Sequence, residues 1–235
     1  MLAACLLSAA AAPAAVFHVD AASTAPAPDG ASWATAYPSI QSAVDAAAAA
    51  PGNEVWVRAG TYTGTGSTRY PLVWLREGVA LYGGFAGGET VREARDWAAS
   101  PTVLDGEGSR RCVQGANNIV LDGFVITRGT NGMLNDHDSS VVANCVFAYN
   151  RDEWGAGASN YSSTVAYINC YFIGNTNSSY GGGIYSSNST VEIVNCVFSG
   201  NAARWGGGVS GSDAHLVITN SLFCGNSATE RAGAL

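Results

Sequence analysis

From about residue 117 onward, apolar and polar positions alternate with a period of two, and the alternation breaks at regular intervals. Val191, Ile193, Cys196 and Phe198 make one apolar set. Glu192, Val194, Val197 and Ser199 lie between them, with one slip of phase at Asn195. Alternation over such short runs predicts strands with one buried face. A slip at asparagine predicts a corner, because asparagine tolerates left-handed backbone and can bond its own turn.

These breaks repeat. Phe-x-x-Asn begins at Phe147, Phe172, Phe198 and Phe223, with spacings of 25, 26 and 25 residues. An earlier asparagine recurs at Asn144, Asn169, Asn195 and Asn220, and Asp122 takes the equivalent place upstream. Cysteine follows at Cys145, Cys170 and Cys196, then yields to Ser221. Small-residue triplets start at Gly155, Gly181, Gly206 and Ala232. Four registers sharing one period predict a solenoid, each coil having three strands and three corners, with coils pairing as parallel strands roughly 4.8 Å apart. The expected class is all-β, a right-handed single-stranded parallel β-helix; helical repeats are excluded by the missing 3.6-residue period.

Stacking assigns roles to the repeated residues. Asn144, Asn169, Asn195 and Asn220 are expected to form an internal amide ladder, and Phe147, Phe172, Phe198 and Phe223 an aromatic stack inside. Cys145, Cys170 and Cys196 share an inward slot; parallel neighbours point their Cβ atoms alike, which favours buried thiols over disulfides. Cys112 and Cys224 have no assigned role. The glycine triplets suit corners where coils approach too closely for a Cβ atom.

Upstream, Pro38–Ala47 reads as an amphipathic helix with Ile40, Val44 and Ala47 on one stripe, stopped at Pro51-Gly52. Such a helix can cover the open first coil. Strands are expected at Val55–Val57, Leu72–Leu75, Val79–Tyr82 and Ile119–Leu121, and Gly83–Asp105 as a looped excursion carrying Trp97. His18 and His215 read as ordinary strand positions.

Residues 1–14 read as a signal peptide, with a short apolar run and Ala12-Pro13-Ala14 as cleavage box, although a basic leader is missing. Leu2-Ala3-Ala4-Cys5 also matches a lipobox, which would make Cys5 a lipidated residue. No other stretch approaches the ~20 apolar residues of a transmembrane helix. The expected location is outside the cytoplasm of a bacterium, secreted or at the cell surface. The solenoid is expected over residues 15–235, and the chain stops within a triplet, so the reading frame is expected to continue into an anchor or further domain. Net charge is −7 with no basic cluster, so nucleic acid is not an expected partner.

Phe-x-x-Asn with a following Gly-Gly-x-aliphatic element resembles the repeat of the chlamydial polymorphic outer membrane proteins. Asp29-Gly30, Ser32–Ala36, Ile40-Gln41 and Gly60-Thr61-Tyr62 are similar to the N-terminal cap, here residues 29–62, of secreted right-handed β-helix proteins in the pectin-lyase-like superfamily. The first resemblance implies a cell-surface adhesin role. The second implies polysaccharide chemistry, in which clustered carboxylates hold Ca2+ or act as acid and base. The dense polar cluster is Asn135-Asp136-His137-Asp138, expected in a loop, with Arg128, Asp152 and Glu153 about one coil away. Asp136 and Asp138 with those three are therefore candidate catalytic or Ca2+-binding residues, and equally a solvated polar loop. No clear Ca2+ site, Cys-x-x-Cys metal motif or other cofactor signature stands out.

Trp154, Tyr180 and Trp205 precede successive triplets, with Arg231 next in line, and predict a column at an outer corner. Aromatic faces in a row can bind a polysaccharide or cell-surface glycan, or stack on each other and stiffen the corner. Taken together, the residues point to an exported structural or adhesin-like stalk with a glycan-binding capacity. A polysaccharide lyase or glycoside hydrolase is the alternative.

Overall fold

The computed structural model describes residues 14–64, 67–231 and 233–234. All but the last residue of the expected leader, Cys5 included, lies outside this range, as do Ala232 and Leu235 of the final repeat.

The chain is an all-β parallel solenoid of about seven turns. Sheet A has eight strands, from Val16–Val19 through Glu54–Arg58, Ala80–Phe85, Ile119–Asp122, Ser139–Ala143, Thr164–Ile168 and Thr190–Val194 to His215–Thr219. Sheet B has seven, from Gly60–Thr63 and Thr102–Asp105 through Phe124–Thr127, Val146–Ala148, Tyr171–Ile173 and Val197–Ser199 to Leu222–Cys224. Sheet C has six: Val73–Trp74, Val113–Gln114, Met133–Asp136, Ala158–Tyr161, Ile184–Ser187 and Val209–Ser212. Sheet D has four: Arg151–Trp154, Thr176–Tyr180, Ala202–Trp205 and Ser227–Arg231. Every strand pair is parallel, and repeat positions fall in register, with Phe147 opposite Phe172 and Phe172 opposite Phe198.

The later coils therefore have four sides, not the three expected. The corner position one coil before Asn144 is Gly123 (φ 83°), not the Asp122 expected, so this coil takes 21 residues, whereas later coils take 25 or 26. Arg151 N–H bonds Gly129 O and Gly132 N–H bonds Ala156 O, so Asp152–Gly155 have no counterpart one coil earlier. Those added residues extend the corner into sheet D, and the cross-section widens at Arg151. This step is the main departure from a uniform rod.

Left-handed residues mark the corners. Sheet A turns into sheet B at Asn144, Asn169, Asn195 and Asn220, with φ of 51°, 54°, 54° and 47°. Asparagine suits this geometry better than most residues. The same corner corrects the ladder's placement: Asn169, Asn195 and Asn220 are exposed, so the ladder runs along the outside of the solenoid. Asn220 donates to Asn195 (2.6 Å), Asn195 to Asn169 (3.2 Å), Asn169 to Asn144 (3.3 Å), and Asn144 to Asp122 (2.9 Å).

The internal ladder is built instead by the asparagines of Phe-x-x-Asn. Asn150 donates to Asn175 (3.1 Å), Asn175 to Asn201 (3.0 Å), and Asn201 to Asn226 (2.9 Å). Each acceptor oxygen also takes the backbone N–H of the donor residue, and Asn150, Asn175 and Asn201 are fully buried. A left-handed corner leaves backbone groups pointing inward, and these side chains satisfy them. A second buried run links Asn135 to Asn160 (2.9 Å) and Asn160 to Ser186 (3.1 Å). Asn135 thus ends an inward-facing strand position, not the loop expected for it.

Beside the inner ladder, Phe147, Phe172, Phe198 and Phe223 stack with centroids 4.8, 4.7 and 4.6 Å apart and planes within 3°. Burying each such ring stabilises the fold by roughly 1.5–3 kcal/mol. Cys145, Cys170 and Cys196 lie buried as free thiols; Cys112 is also buried and Cys224 is exposed. A Cβ on Gly183 would sit 2.5 Å from Gly208 O and 2.8 Å from the Phe198 ring, which is why the triplet needs glycine there.

At the N-terminal end, the helix Ile40–Ala47 buries Ile40, Ala43, Val44 and Ala47. Gln41 pins it to sheet C, accepting Trp74 N–H (2.8 Å) and donating to Trp74 O (3.1 Å). The excursion is shorter than expected, because Gly83–Phe85 continue a strand of sheet A and Thr102–Asp105 form one of sheet B. What remains folds over the outer face of sheet A, where Trp56 and Phe85 stack at 4.8 Å.

Candidate functional site at the step

Where the fourth side begins, Arg151–Trp154 is the first strand of sheet D and has no strand beneath it. Its lower edge is closed by side chains. Asp152 Oδ1 accepts Glu153 N–H (2.7 Å), Asp152 Oδ2 accepts Asn131 Nδ2 (3.0 Å), and Ser159 Oγ donates to Trp154 O. Asn131 is buried and also donates to Gly155 O and Ser159 Oγ, both at 2.8 Å. An unprotected strand edge is a template for unwanted pairing, and these contacts block it.

Arg111 lies one coil below, just before the sheet C strand Val113–Gln114. Its Nη1 donates to Gln114 Oε1 (2.7 Å), and its Nε is buried without a partner among the described residues. Burial lowers its pKa, against the fields of Asp152, Tyr161 and Asp136. Burial also raises the Asp152 carboxyl, opposed by the bonds from Glu153 and Asn131 and by the charge of Arg111. Tyr161 is pushed up to about 12 by burial, with Tyr185 and Asp152 adding to it. Among the described residues no ion pair joins Arg111 to a carboxylate.

Trp154, Tyr180 and Trp205 do form a column. Their centroids are 5.0 and 4.5 Å apart, with planes tilted 19° and 21°. Tyr185 lies beneath them, 5.5 Å from Trp154 and 5.7 Å from Tyr180, and 5.8 Å from Tyr161. The geometry decides which faces are free. Both faces of Tyr180 are covered by its neighbours, and Arg204 lies 4.1 Å from the Trp205 ring. Trp154, 40% exposed, keeps the face turned away from Tyr180 and toward the step. Tyr180 is therefore a stiffening element, and among the described residues no ring stacks on the face of Trp154 opposite Tyr180.

The acidic candidates divide. Asp136 sits where sheet C turns into sheet A, paired with His137 (2.8 Å), and Asp138 accepts its backbone N–H (2.9 Å). Burial raises the Asp138 carboxyl. Arg128 belongs elsewhere: it lies at the corner leaving sheet B, where its Nε bonds both Asp105 oxygens (2.9 and 3.1 Å). Coil stacking does not bring it to Asp136, because the two occupy different corners. Glu153 is exposed on sheet D. Asp152 joins Asp136 in acting on Arg111, and Arg111, Asn131, Tyr161 and Tyr185 were not legible as site residues. Carrying the triplet register one coil upstream finds Asn131, but only once the shorter coil is recognised. Among the described residues, no three His, Cys, Asp or Glu side chains converge as metal ligands. No protein-family model, curated protein or solved structure matches the chain, which is thus placed by its parallel β-solenoid fold.

Proposed function

We propose that the chain is an exported, adhesin-like stalk that holds a cell-surface or matrix glycan without turning it over. The observation that carries this reading is the run of in-register ladders along successive coils. Phenylalanines, buried asparagines and outer asparagines each repeat through the last four coils, so stiffness is built into the repeat itself. Solenoids of this kind offer extended surfaces suited to long polymers.

The competing reading, a polysaccharide lyase or hydrolase, draws on the raised Asp152 carboxyl, on which the charge of Arg111 acts. One experiment separates the two. Beads coated with the full chain are passed under flow over immobilised polysaccharides, and released sugar ends are measured in the effluent. Retention without new reducing or unsaturated ends is the expected result. Release of such ends, abolished by Asp152→Asn or Asp136→Asn, would replace the stalk with an enzyme. Fractionation of expressing cells tests export, and recovery of the chain with its leader in the cytoplasm would overturn that part.

A further inference from the structure

The corner leaving sheet B changes its residue at the foot of the step. In the last three coils it is Gly174, Gly200 and Gly225, with φ of 60°, 64° and 62°. In the two coils before them it is Tyr149 and Arg128, held at φ of 55° and 51°. Left-handed backbone brings a Cβ atom against the following carbonyl, so glycine makes this turn at less cost than either. Large side chains kept in such a conformation are found at ligand clamps, and they call for a reason beyond the turn itself.

The two side chains lean opposite ways. Arg128 reaches back to the preceding coil, where its Nε bonds both oxygens of Asp105 (2.9 and 3.1 Å). Tyr149 reaches forward: a Cβ on Gly174 would sit 2.8 Å from Tyr149 Cε1, so the ring lies on the glycine of the following coil. Between them the surface opens into a hollow of about 430 Å³, lined by both side chains and by Glu107, Gly129, Thr130 and Arg151. Tyr149 is 68% exposed, and among the described residues no other ring stacks on it. Arg151 and Glu107 form no ion pair among the described residues.

An open aromatic ring beside donors and acceptors in one hollow is the chemistry that recognises a sugar. Its C–H face packs on the phenol ring, and its hydroxyls both donate and accept. Charge narrows the class. Arg128 is answered by Asp105, which leaves Arg151 and Glu107 with opposite signs in the hollow. Asp152 and Glu153 line the adjoining hollow, which shares Arg151 and Thr130 with this one. An anionic ring would meet the carboxylates and a cationic ring the guanidiniums, whereas an uncharged ring incurs neither repulsion.

We propose that this hollow binds one neutral sugar ring of a glycan, packed on Tyr149, with hydroxyls bonded to Arg151, Glu107 and Thr130. This rests on the glycan-holding reading and gives it a location and a ligand class. Arg128, drawn back by Asp105, keeps the hollow open. The glycines at the same corner of the later coils carry no ring, so one sugar is gripped and the rest of the polymer is held more loosely.

The test is titration of the full chain with neutral gluco-, manno-, galacto- and xylo-oligosaccharides, and with uronate and glucosamine oligosaccharides of equal length. Calorimetry and saturation-transfer NMR read the binding. At least one neutral series binds more tightly than both charged series. Tyr149→Gly installs the residue that the later coils use at this corner, so the fold is kept, and a thermal melt checks that. It weakens binding roughly tenfold or more, and Arg151→Gln weakens it several-fold. Trp154→Ala, in the aromatic column of sheet D, leaves binding unchanged. Tighter binding of either charged series would overturn the ligand class. Neutral binding that survives both Tyr149→Gly and Arg151→Gln would remove the site and leave the glycan-holding reading intact. Failure of every oligosaccharide to bind the parent would remove both.

Discussion

Asn144 donates from Nδ2 to Asp122 Oδ1 at 2.9 Å, and Asp122 Oδ2 pairs with Arg95 at 2.9 Å. The outer amide ladder thus terminates on a carboxylate whose charge is answered by the excursion folded over sheet A. Arg95 also lies over the Tyr82 and Trp97 rings, and its side chain is only 7% exposed, that of Asp122 14%. Asp122→Ala leaves that guanidinium buried without its partner, and the expected cost is about 3–5 kcal/mol. Urea unfolding of parent and variant measures it. A loss below about 1 kcal/mol would mean that the excursion does not lock the first coils.

The two asparagine ladders should respond differently to truncation. Asn175 takes Asn150 N–H (3.0 Å) and Asn150 Nδ2 (3.1 Å), and donates to Phe147 O (2.8 Å) and Asn201 Oδ1 (3.0 Å). Asn175→Ala strands several of these groups in the core, each costing roughly 1–3 kcal/mol. Asn169 is exposed with φ of 54°, a conformation glycine accepts freely. Asn169→Gly is expected to stay within about 1 kcal/mol of the parent. Thermal melts of the two variants check the contrast, and equal losses would contradict the assignment of inner and outer ladders.

Thiol reactivity follows burial. Burial pushes the Cys112 and Cys145 thiols up to about 12, and raises Cys170 well above its ordinary value. The thiolate is the reactive form, so these groups are protected twice, by access and by protonation. Iodoacetamide at neutral pH should label Cys224 in the native protein, and label Cys112, Cys145, Cys170 and Cys196 only after denaturation; Cys196, whose thiol is lowered by its hydrogen bond with Cys170, is protected by burial alone. Peptide mapping by mass spectrometry reads each site separately. Rapid native labelling of Cys170 would show that the column opens.

The step should leave a signature in pH. The Asp152 carboxyl lies above its ordinary value of 3.8 because it is buried. On acidification the native state then takes up this proton before the unfolded chain does. Its contribution to stability therefore rises as pH falls through the raised native value, and levels off once pH is below 3.8. Asp152→Asn carries no titrating group there and should lose this increment. Urea midpoints of both proteins across the acidic range compare the slopes, and identical slopes would dismiss Asp152 as the cause.

How much of this was legible beforehand depends on whether the signal repeats. The period, the phenylalanine stack and the cap helix follow from alternation and spacing, since stacking forces like residues over like. Whether Asn144 or Asn150 faced inward was harder to read, because both recur at one period and the left-handed corner decides the direction. Asn135 looked like loop because its neighbours Asp136, His137 and Asp138 are polar; its own side chain turns in to meet Asn160. The fourth side stayed hidden for a related reason. It begins at a change in coil length, and a repeat alignment reads such a change as irregularity. The step inherits that difficulty: Asn131 and Asp152 meet only because adjoining coils differ.

Between side-chain amides, the outer asparagines donate toward the preceding coil and the inner ones toward the following coil, while the second N–H of each inner amide returns to a backbone carbonyl of the preceding coil. Side-chain amides are dipoles, and a single column of them would add head to tail as the backbone of an α-helix does. Here the columns point opposite ways, so their fields partly cancel along the axis. Each added coil then extends two amide chains of opposite sense, so the polarity that one column gains from lengthening is opposed by the other.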